Sequence, residues 1–558
     1  MIVPAITDLV SICAQHGIKE AVLSPGSRCA PISLAFIRHP NIHCRTISDE
    51  RSAAFVALGM AQQSEMPVAM VCTSGSAGYN YAPAIAEAFF QQIPLLVITA
   101  DRPPEWIDQW DGQTIRQTGI FGNHVKKSLV LPDSFSSEDH LWHLHRLINE
   151  AILEATSFPQ GPVHINVPLR EPFYPAPGES FDFSRSVPVT QPLRGTPTLS
   201  QEQLIRLKEN IKKYRRILFV PGQQKKDDRL KGMLEHIHKI GTGVVVTELI
   251  SNLQNGDAIT HPDFLLQNTT EKERLVPDLI ITFGKSILSK SLKQFLRSTP
   301  ANHWHIQTQG YVPDPFQRLT KVIHAAPSDF LDWFISQELQ VDKSYTAGWV
   351  EAESRIRQKL PLAMENATFG EFKAIYHCLK HLPYPSKLHL ANSMAVRYAS
   401  FLGMKEKRIE ILANRGTSGI DGSNSTAVGC ALTTKETVTL ITGDMAFFYD
   451  RNAFWHNYDL PNLRVVVLNN HAGGIFRLIE GPNALPELEE FFETRQALTA
   501  KSLANEFSFE YNAVYHESEL LSVLPNFFEK SLKPKILEVF SDSVSNAKTL
   551  KEIKAALR

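Results

Sequence analysis

Residues 439–474 read TLITGDMAFFYDRNAFWHNYDLPNLRVVVLNNHAGG, and this stretch decides the fold. Two apolar runs, at residues 438–442 and 464–468, flank a segment of helical character, which predicts strand, helix and strand. The first run ends in Gly443-Asp444 and the second ends in Asn469-Asn470. Open α/β sheets bind ligands at the carboxyl ends of parallel strands, so a carboxylate and an amide are expected to meet there.

The residues at these two strand ends favour a cation beside a phosphate group. Asp444 and Asn470 offer hard oxygen ligands, and with a nearby backbone carbonyl they suit Mg²⁺ that bridges a diphosphate. Gly443 would let a phosphate approach the backbone closely. A plain turn followed by a helix cap also explains Gly-Asp, because this pair often follows a strand for that reason alone.

The composition argues against several classes of protein. The 558 residues carry a formal net charge of −1, so no basic field points to nucleic acid. No apolar run reaches the ~18–20 residues that span a bilayer, and we expect no secretory signal because the N-terminus lacks a basic region and a cleavage site. The six cysteines are scattered, which favours reduced thiols in a cytoplasmic protein over a disulfide framework or a metal site.

Apolar runs alternate with helical segments along the chain, which predicts an α/β fold of three domains. Each domain is expected to hold a central, mostly parallel sheet flanked by helices. The predicted ranges are 1–180 for the first domain, 181–200 for a Pro-rich linker, 201–345 for the central domain, 346–369 for a helical connector and 370–558 for the third domain. The runs that predict strands are 21–23, 68–72, 95–99, 163–167, 217–220, 244–247, 279–283, 303–306, 409–412, 438–442, 464–468 and 536–539.

Two loops of the first domain follow apolar runs and open helices. SPGSR (24–28) combines a flexible backbone, a hydroxyl and an arginine, which are the parts of an anion site. TSGSA (73–77) has the same position after a later run. Glu50 begins a helix between them. Helix capping also explains both loops, and compensation of the helix dipole also explains Glu50.

Nine motifs spread in order over almost the whole chain resemble those of the MenD family. This family contains the thiamine-diphosphate (ThDP) enzymes of menaquinone biosynthesis that act as 2-succinyl-5-enolpyruvyl-6-hydroxy-3-cyclohexene-1-carboxylate synthases. The motifs are SPGSR (24–28), SDERSAAFVALG (48–59), TSGSA (73–77), TADRPPE (99–105), GQTIRQ (112–117), NSMAVR (392–397), NRGTSGIDG (414–422), GDMAFFYD (443–450) and VLNNHAGGIF (467–476).

The resemblance implies a reaction and an assembly. Such enzymes decarboxylate 2-oxoglutarate on ThDP and add the succinic-semialdehyde carbanion to isochorismate. They have a pyrimidine-binding domain, a central domain and a diphosphate-binding domain, here 1–180, 201–345 and 370–558. They form homodimers or dimers of dimers, with each site at a subunit interface. The cofactors implied are ThDP and Mg²⁺ or Mn²⁺.

The resemblance also implies roles for single residues. Glu50 would hydrogen-bond the pyrimidine ring and activate the cofactor. Ile420 would hold the cofactor bent, and Gly443 would lie against its diphosphate. The metal ligands would be Asp444, Asn470 and the backbone carbonyl of Ala472.

The two substrates together carry four carboxylates, and the planar fork of arginine matches a carboxylate well. By resemblance, the residues around isochorismate would be Ser27, Arg28, Arg102 and Lys290. Those around the decarboxylated substrate and its intermediate would be Ser393, Arg397 and Arg415, with help from Gln113. Gly112 stands where some members have Asn, so a side-chain contact is missing there.

Other interpretations stay open at this point. Each arginine is also explained as a solvated surface charge. A different ThDP enzyme, such as a 2-oxo-acid decarboxylase or an acetolactate-synthase-like enzyme, would keep Glu50, Asp444 and Asn470 but would not need four arginines. A catalytically silent homologue would keep the fold alone.

Overall fold

The structure is a computed structural model, and it describes residues 4–135, 137–254, 256–267, 269–404 and 408–558. These residues form three sheets, each with parallel strand pairing and flanking helices. The predicted α/β fold class is therefore confirmed. Within the described ranges, no helix has both the length and the apolar character needed to cross a membrane.

The first sheet has six strands in the spatial order β2-β1-β3-β4-β6-β5. All residues of β3 and β4 are buried, as expected for inner strands of a sheet covered on both faces. The strands are β1 (Glu20–Leu23), β2 (His43–Thr46), β3 (Val68–Cys72), β4 (Leu95–Asp101), β5 (Ser128–Val130) and β6 (Val163–Pro168). The helices are α1 (Pro4–Gln15), α2 (Ala30–Arg38), α3 (Glu50–Ser64), α4 (Ser76–Asn80), α5 (Ala82–Gln91) and α6 (Glu138–Thr156).

The second sheet has five strands in the order β11-β10-β9-β7-β8. Residues 169–200, which precede it, form neither helix nor strand. The strands are β7 (Ile217–Pro221), β8 (Val244–Val245), β9 (Leu279–Phe283), β10 (Asn302–Gln307) and β11 (Leu319–His324). The helices are α7 (Gln201–Ile211), α8 (Asp228–Ile240), α9 (Pro262–Leu265), α10 (Thr269–Arg274), α11 (Lys290–Ser298), α12 (Pro327–Ile335) and the long connecting helix α13 (Lys343–Asn366).

The third sheet has six strands in the order β13-β12-β14-β15-β17-β16. The strands are β12 (Ser386–Leu390), β13 (Ile409–Leu412), β14 (Thr437–Gly443), β15 (Leu463–Asn469), β16 (Glu510–Val514) and β17 (Lys535–Phe540). The helices are α14 (Glu371–His381), α15 (Met394–Leu402), α16 (Ser423–Thr433), α17 (Asp444–Tyr449), α18 (Ala500–Glu506), α19 (Glu517–Phe528) and α20 (Ser543–Ala556).

The first and third sheets have the same topology. When the strands of each sheet are numbered from its own start, both follow the order 2-1-3-4-6-5. The first and third units therefore repeat one strand order. The limits of the domains and of the linker stay a prediction.

Helices α3 and α16 join these two units through a direct contact of their backbones. A Cβ atom on Gly59 would lie 2.1 Å from the carbonyl oxygen of Thr426, and one on Gly429 would lie 2.0 Å from that of Val56. Only glycine permits such an approach. Around this contact the two units share one apolar core, in which Val68 and Val438 both take part.

Candidate active site

The carboxyl ends of strands β14 and β15 bring the predicted metal ligands to one edge of the third sheet. The two strands are neighbours, and Gly443 lies in register with Leu468. Asp444 begins α17 directly after β14, and Asn470 follows the last residue of β15. The predicted strand–helix–strand arrangement of this stretch is therefore present.

Asp444 and Asn470 are each held by hydrogen bonds at this edge. The Asp444 side chain is only 2% exposed, and Nε2 of Gln496 donates to its Oδ2 at 2.7 Å. Burial raises the pKa of Asp444 to about 6, against the opposing effect of this hydrogen bond. The backbone N–H of Ala472 donates to Oδ1 of Asn470 at 2.8 Å, so the three predicted ligand residues lie together.

Glu371 is a second buried carboxyl group beside these residues, and it was not singled out from the sequence. It begins α14, and its Oε1 accepts a hydrogen bond from Nδ2 of Asn470 at 2.6 Å. Burial, and then the charge of Asp444, raise the pKa of Glu371 to about 8. An acid in the first turn of a helix usually compensates the dipole, which is why its sequence position carries no signal.

The donor set at this edge fits a hard divalent cation. Within the described ranges, neither Asp444 nor Glu371 has an ion-pair partner, and buried carboxylates without one are costly. The same ranges hold no group of three His, Cys, Asp or Glu side chains that would bind a metal. A cation here would depend on a mixed set of carboxylate, amide and main-chain oxygens, which suits Mg²⁺ or Mn²⁺.

Gly443 leaves open space where a phosphate group would need it. A Cβ atom on Gly443 would have no heavy atom within 4 Å. Its φ of −78° and ψ of 158° are open to any residue, so the backbone does not require glycine there. The glycine is thus unexplained by local conformation or by packing within the chain, and it fits the close approach of a ligand.

Three loops of the first unit meet at the carboxyl edge of its sheet, because β1, β3 and β4 are neighbours. Arg28 is buried, donates from Nη1 to the carbonyl oxygen of Leu169 at 2.8 Å, and lies 4.7 Å from the ring centroid of Phe173. Arg102 pairs with Asp111 at 2.7 Å. Both arginines line a cavity of about 360 Å³, whose other lining residues include Trp106, Leu169 and Arg170.

The remaining predicted residues of this unit lie around these loops. Ser27 is exposed, with Oγ 3.3 Å from the hydroxyl of Tyr174. Gln113 is exposed, has a positive φ of 54°, and lies with its backbone against Gly75 of the TSGSA loop. Gln117 was not singled out from the sequence, yet it is buried and its Oε1 accepts from the N–H of Gly75 at 2.8 Å.

Glu50 begins helix α3 and is partly buried. The capping role at this helix belongs to Asp49, whose side chain accepts from the N–H of Ser52 at 3.1 Å. The charge of Glu50 adds to burial in raising the pKa values of the Cys29 and Cys72 thiols, so its carboxyl group lies among the loops of the first unit. Asp49, and not Glu50, therefore caps this helix, while compensation of the helix dipole still explains an acid at the position of Glu50.

A second group of cations lies in the third unit. Nη1 of Arg397 donates to the carbonyl oxygen of Ser393 at 2.5 Å, and Nη1 of Arg415 donates to Oδ1 of Asn392 at 2.7 Å. Burial, and then repulsion from Arg397, lower the pKa of Arg415. Two arginines held this close without a shared counter-ion are suited to a substrate that carries negative charge.

Lys290 and Ile420 complete the predicted set. Lys290 is exposed at the start of α11. Lys293 lies one turn further along the helix and was not singled out from the sequence. Burial lowers its pKa, and the positive charges of Arg415 and Arg397 lower it further. Ile420 is 36% exposed in the loop before α16, and a single exposed apolar side chain is by itself ordinary on a protein surface.

Residues on either side of Glu50 contact the third unit: Nη2 of Arg51 donates to the carbonyl oxygen of Tyr449 at 2.9 Å, and Nδ2 of Asn452 donates to Oδ2 of Asp49 at 2.7 Å. The charge of Glu50 itself raises the pKa values of Cys29 and Cys72, both in the first unit. The described groups in contact with Asp444 belong to the third unit, and they include Gln496. In the described part of this single chain, Glu50 and Asp444 share no such neighbour.

Two family models match parts of the chain. A family model described as "Thiamine pyrophosphate enzyme, N-terminal TPP binding domain" matches residues 5–120. Another, described as "Middle domain of thiamine pyrophosphate", matches residues 198–390.

Curated relatives match over nearly the full length of the chain. The 2-succinyl-5-enolpyruvyl-6-hydroxy-3-cyclohexene-1-carboxylate synthase of Cytophaga hutchinsonii is 48% identical, with 99% of both chains covered. The synthases of the same name from Flavobacterium johnsoniae and Porphyromonas gingivalis are each 38% identical, covering 99% and 97% of this chain and 99% and 95% of their own. The chain therefore belongs to the 2-succinyl-5-enolpyruvyl-6-hydroxy-3-cyclohexene-1-carboxylate synthase family of thiamine-diphosphate enzymes.

Proposed function

We propose that this chain decarboxylates 2-oxoglutarate and joins the remaining four-carbon unit to isochorismate. The products would be 2-succinyl-5-enolpyruvyl-6-hydroxy-3-cyclohexene-1-carboxylate and CO₂, in menaquinone biosynthesis. The observation that carries this proposal is the presence of two separate arginine groups, Arg28 with Arg102 and Arg397 with Arg415. Two groups of bidentate cations are what two dianionic substrates require.

The third unit would anchor the cofactor. Asp444, Asn470 and the carbonyl oxygen of Ala472 would ligate Mg²⁺ or Mn²⁺, and Gly443 would leave room for the diphosphate. Ile420 would press against the cofactor and keep it bent. ThDP, when bound, supplies the carbon nucleophile that this reaction needs.

The acid and the cations have different tasks. Glu50 would hold a proton at its carboxyl group and share it with the pyrimidine ring of the cofactor. Arg397 and Arg415, with Ser393, would bind the 2-oxo acid and orient it for loss of CO₂, and Gln113 would hydrogen-bond the reacting centre. The acceptor would be bound by Ser27, Arg28, Arg102 and Lys290.

We further propose a cytoplasmic homodimer or a dimer of dimers. Because Glu50 and Asp444 share no described neighbour within one chain, the proposal places Glu50 of one chain over a cofactor anchored by its partner. The six free cysteines support a reducing compartment.

A product assay tests the function. The purified chain with ThDP and Mg²⁺ is given isochorismate together with 2-oxoglutarate or pyruvate, and CO₂ and the adduct are measured. Faster turnover of pyruvate would favour another 2-oxo-acid decarboxylase and refute the substrate assignment. Absence of thermal stabilisation by ThDP and Mg²⁺ would favour a silent homologue, since a ligand that binds only the folded state raises its stability.

A further inference from the structure

Glu87 of helix α5 is a buried carboxylate that holds a loop from the distant third unit. Its side chain is 1% exposed. Oε1 accepts from the backbone N–H of Gly416 at 2.7 Å, and Oε2 accepts from the N–H and the hydroxyl of Thr417, each at 2.6 Å. Gln91 donates to Oε1 at 2.6 Å. Charge-assisted hydrogen bonds of this length are among the strongest that a protein makes.

The loop that Glu87 holds is the one that carries Arg415 and Ile420. A Cβ atom on Gly416 would lie 2.5 Å from the carbonyl oxygen of Glu87, so the loop lies directly on helix α5. From the other side, Nδ2 of Asn392 donates to the carbonyl oxygens of Asn414 and Gly419, each at 2.6 Å. The loop is thereby fixed between two units of the chain.

Glu87 also acts on the charge of Arg415. Burial and Arg397 both lower the pKa of Arg415, and the negative charge of Glu87 opposes them. Nε of Arg415 is buried with no hydrogen-bond partner among the described residues, so no bond at that nitrogen offsets the buried charge of the guanidinium. The Glu87 carboxylate bonds to the main chain of the loop, so it stabilises the Arg415 cation through its charge without taking a hydrogen bond from the guanidinium.

We propose that Glu87 is a positioning residue for Arg415 and sets the affinity of the enzyme for its dianionic 2-oxo-acid substrate. It acts through the main chain of Gly416 and Thr417 and touches neither substrate nor cofactor. This inference rests on the proposed function, because it takes Arg415 as a ligand of that substrate.

The test uses full-length Glu87→Gln, which keeps the size of the side chain but sets an amide N–H₂ against one of the loop donors. KM for 2-oxoglutarate should rise roughly 10- to 100-fold, the loss expected for a charged hydrogen bond, while KM for isochorismate changes less than about threefold. Thr417→Val removes one of the three loop bonds, so it should give a smaller rise in the same direction. Hydrogen exchange at the amides of Gly416 and Thr417 should be at least about tenfold faster in Glu87→Gln.

Arg45→Met is the matched control. The Arg45 guanidinium also bonds between the two units, to the carbonyl oxygen of Leu432 at 2.9 Å, at the opposite end of helix α16 from the loop that carries Arg415. This variant should lose stability and leave both KM values unchanged. If Glu87→Gln also loses only stability, Glu87 is a structural link and the inference is wrong.

Failure of the proposed function would be seen in the wild-type enzyme, which would then not use 2-oxoglutarate. The exchange measurement would still decide whether Glu87 positions the loop, and unchanged exchange would overturn the inference by itself. If the wild type uses another 2-oxo acid, the KM comparison applies to that acid.

Discussion

Replacing Gly443 by alanine should separate cofactor binding from folding. The added methyl group would meet no atom of the chain within 4 Å, and the backbone angles of −78° and 158° suit alanine as well as glycine. Because alanine also restricts the unfolded chain, we expect the free energy of unfolding of the apo protein to stay equal or to rise by about 0.4–1 kcal/mol.

The affinity for ThDP should fall in the same variant. If the diphosphate lies against the Gly443 backbone, the methyl group displaces it and weakens at least one charge-assisted hydrogen bond. Such a bond contributes about 1.5–3 kcal/mol, so the Kd of ThDP at saturating Mg²⁺ should rise roughly 10- to 150-fold. Quenching of the intrinsic tryptophan fluorescence during a ThDP titration measures this Kd, and thermal unfolding of the apo protein measures the stability.

Gly232→Ala provides the control. Gly232 lies within helix α8, and a Cβ atom there also meets nothing within 4 Å. This variant should gain up to about 1 kcal/mol of stability from helix propensity and bind ThDP as the wild type does. An unchanged Kd for ThDP in Gly443→Ala would refute the reasoning, because it would mean that no phosphate comes close to this backbone.

Three further predictions test the acid, one of the cations and a buried carboxyl group. Glu50→Gln should lower kcat by about 10²–10⁴-fold while the Kd of ThDP changes little, since it removes proton transfer and no diphosphate contact; unchanged turnover would exclude Glu50 from the mechanism. Arg397→Ala should raise KM for 2-oxoglutarate by the equivalent of about 1.5–3 kcal/mol, and an equal loss of ThDP affinity would contradict the assigned role. Burial raises the pKa of Asp450 to about 7, so the folded protein keeps a proton that the unfolded chain releases near pH 4. The contribution of Asp450 to the free energy of unfolding is therefore lost as pH rises from about 4 to 7, by up to about 4 kcal/mol. The Tm of Asp450→Asn relative to the wild type should therefore increase between pH 5 and 7.5. A constant difference in Tm would show that Asp450 does not titrate in this range.

The sequence predicted the inner strands of the three sheets better than the edge strands. Each of the twelve apolar runs overlaps a strand, and ten of them lie on inner strands, which are buried on both faces and read as continuous apolar sequence. The other two lie on the edge strands β8 and β13. The strands it missed at sheet edges are β2, β5, β11 and β16. Three of the four residues of β2 are exposed or half-buried, and its sequence HCRT has no such run. The inner strand β12 was missed because Lys387 and His389 interrupt it, and Lys387 pairs with Glu410 at 2.7 Å on the next strand.

Residues of the candidate site were predictable where the strand order alone sets their position. Asp444 and Asn470 follow neighbouring strands, so their proximity follows from the topology. Glu371 was not predictable, because it reaches Asn470 only through the packing of α14 against the sheet. Lys293 was not predictable either, because only the fold brings helix α11 near the charges of Arg397 and Arg415 that help to lower the pKa of Lys293.

The contact between helices α3 and α16 has a consequence for the position of Glu50 at the start of α3. At Gly59 and Gly429 the backbones of the two helices are in direct contact, so α3 cannot slide along α16 or rotate against it without a backbone clash. Glu50 lies about 14 Å from Gly59 along the same helix, so the contact at Gly59 also fixes the position of the Glu50 backbone. Surface residues of either unit are then free to vary over evolutionary time without displacing the acid.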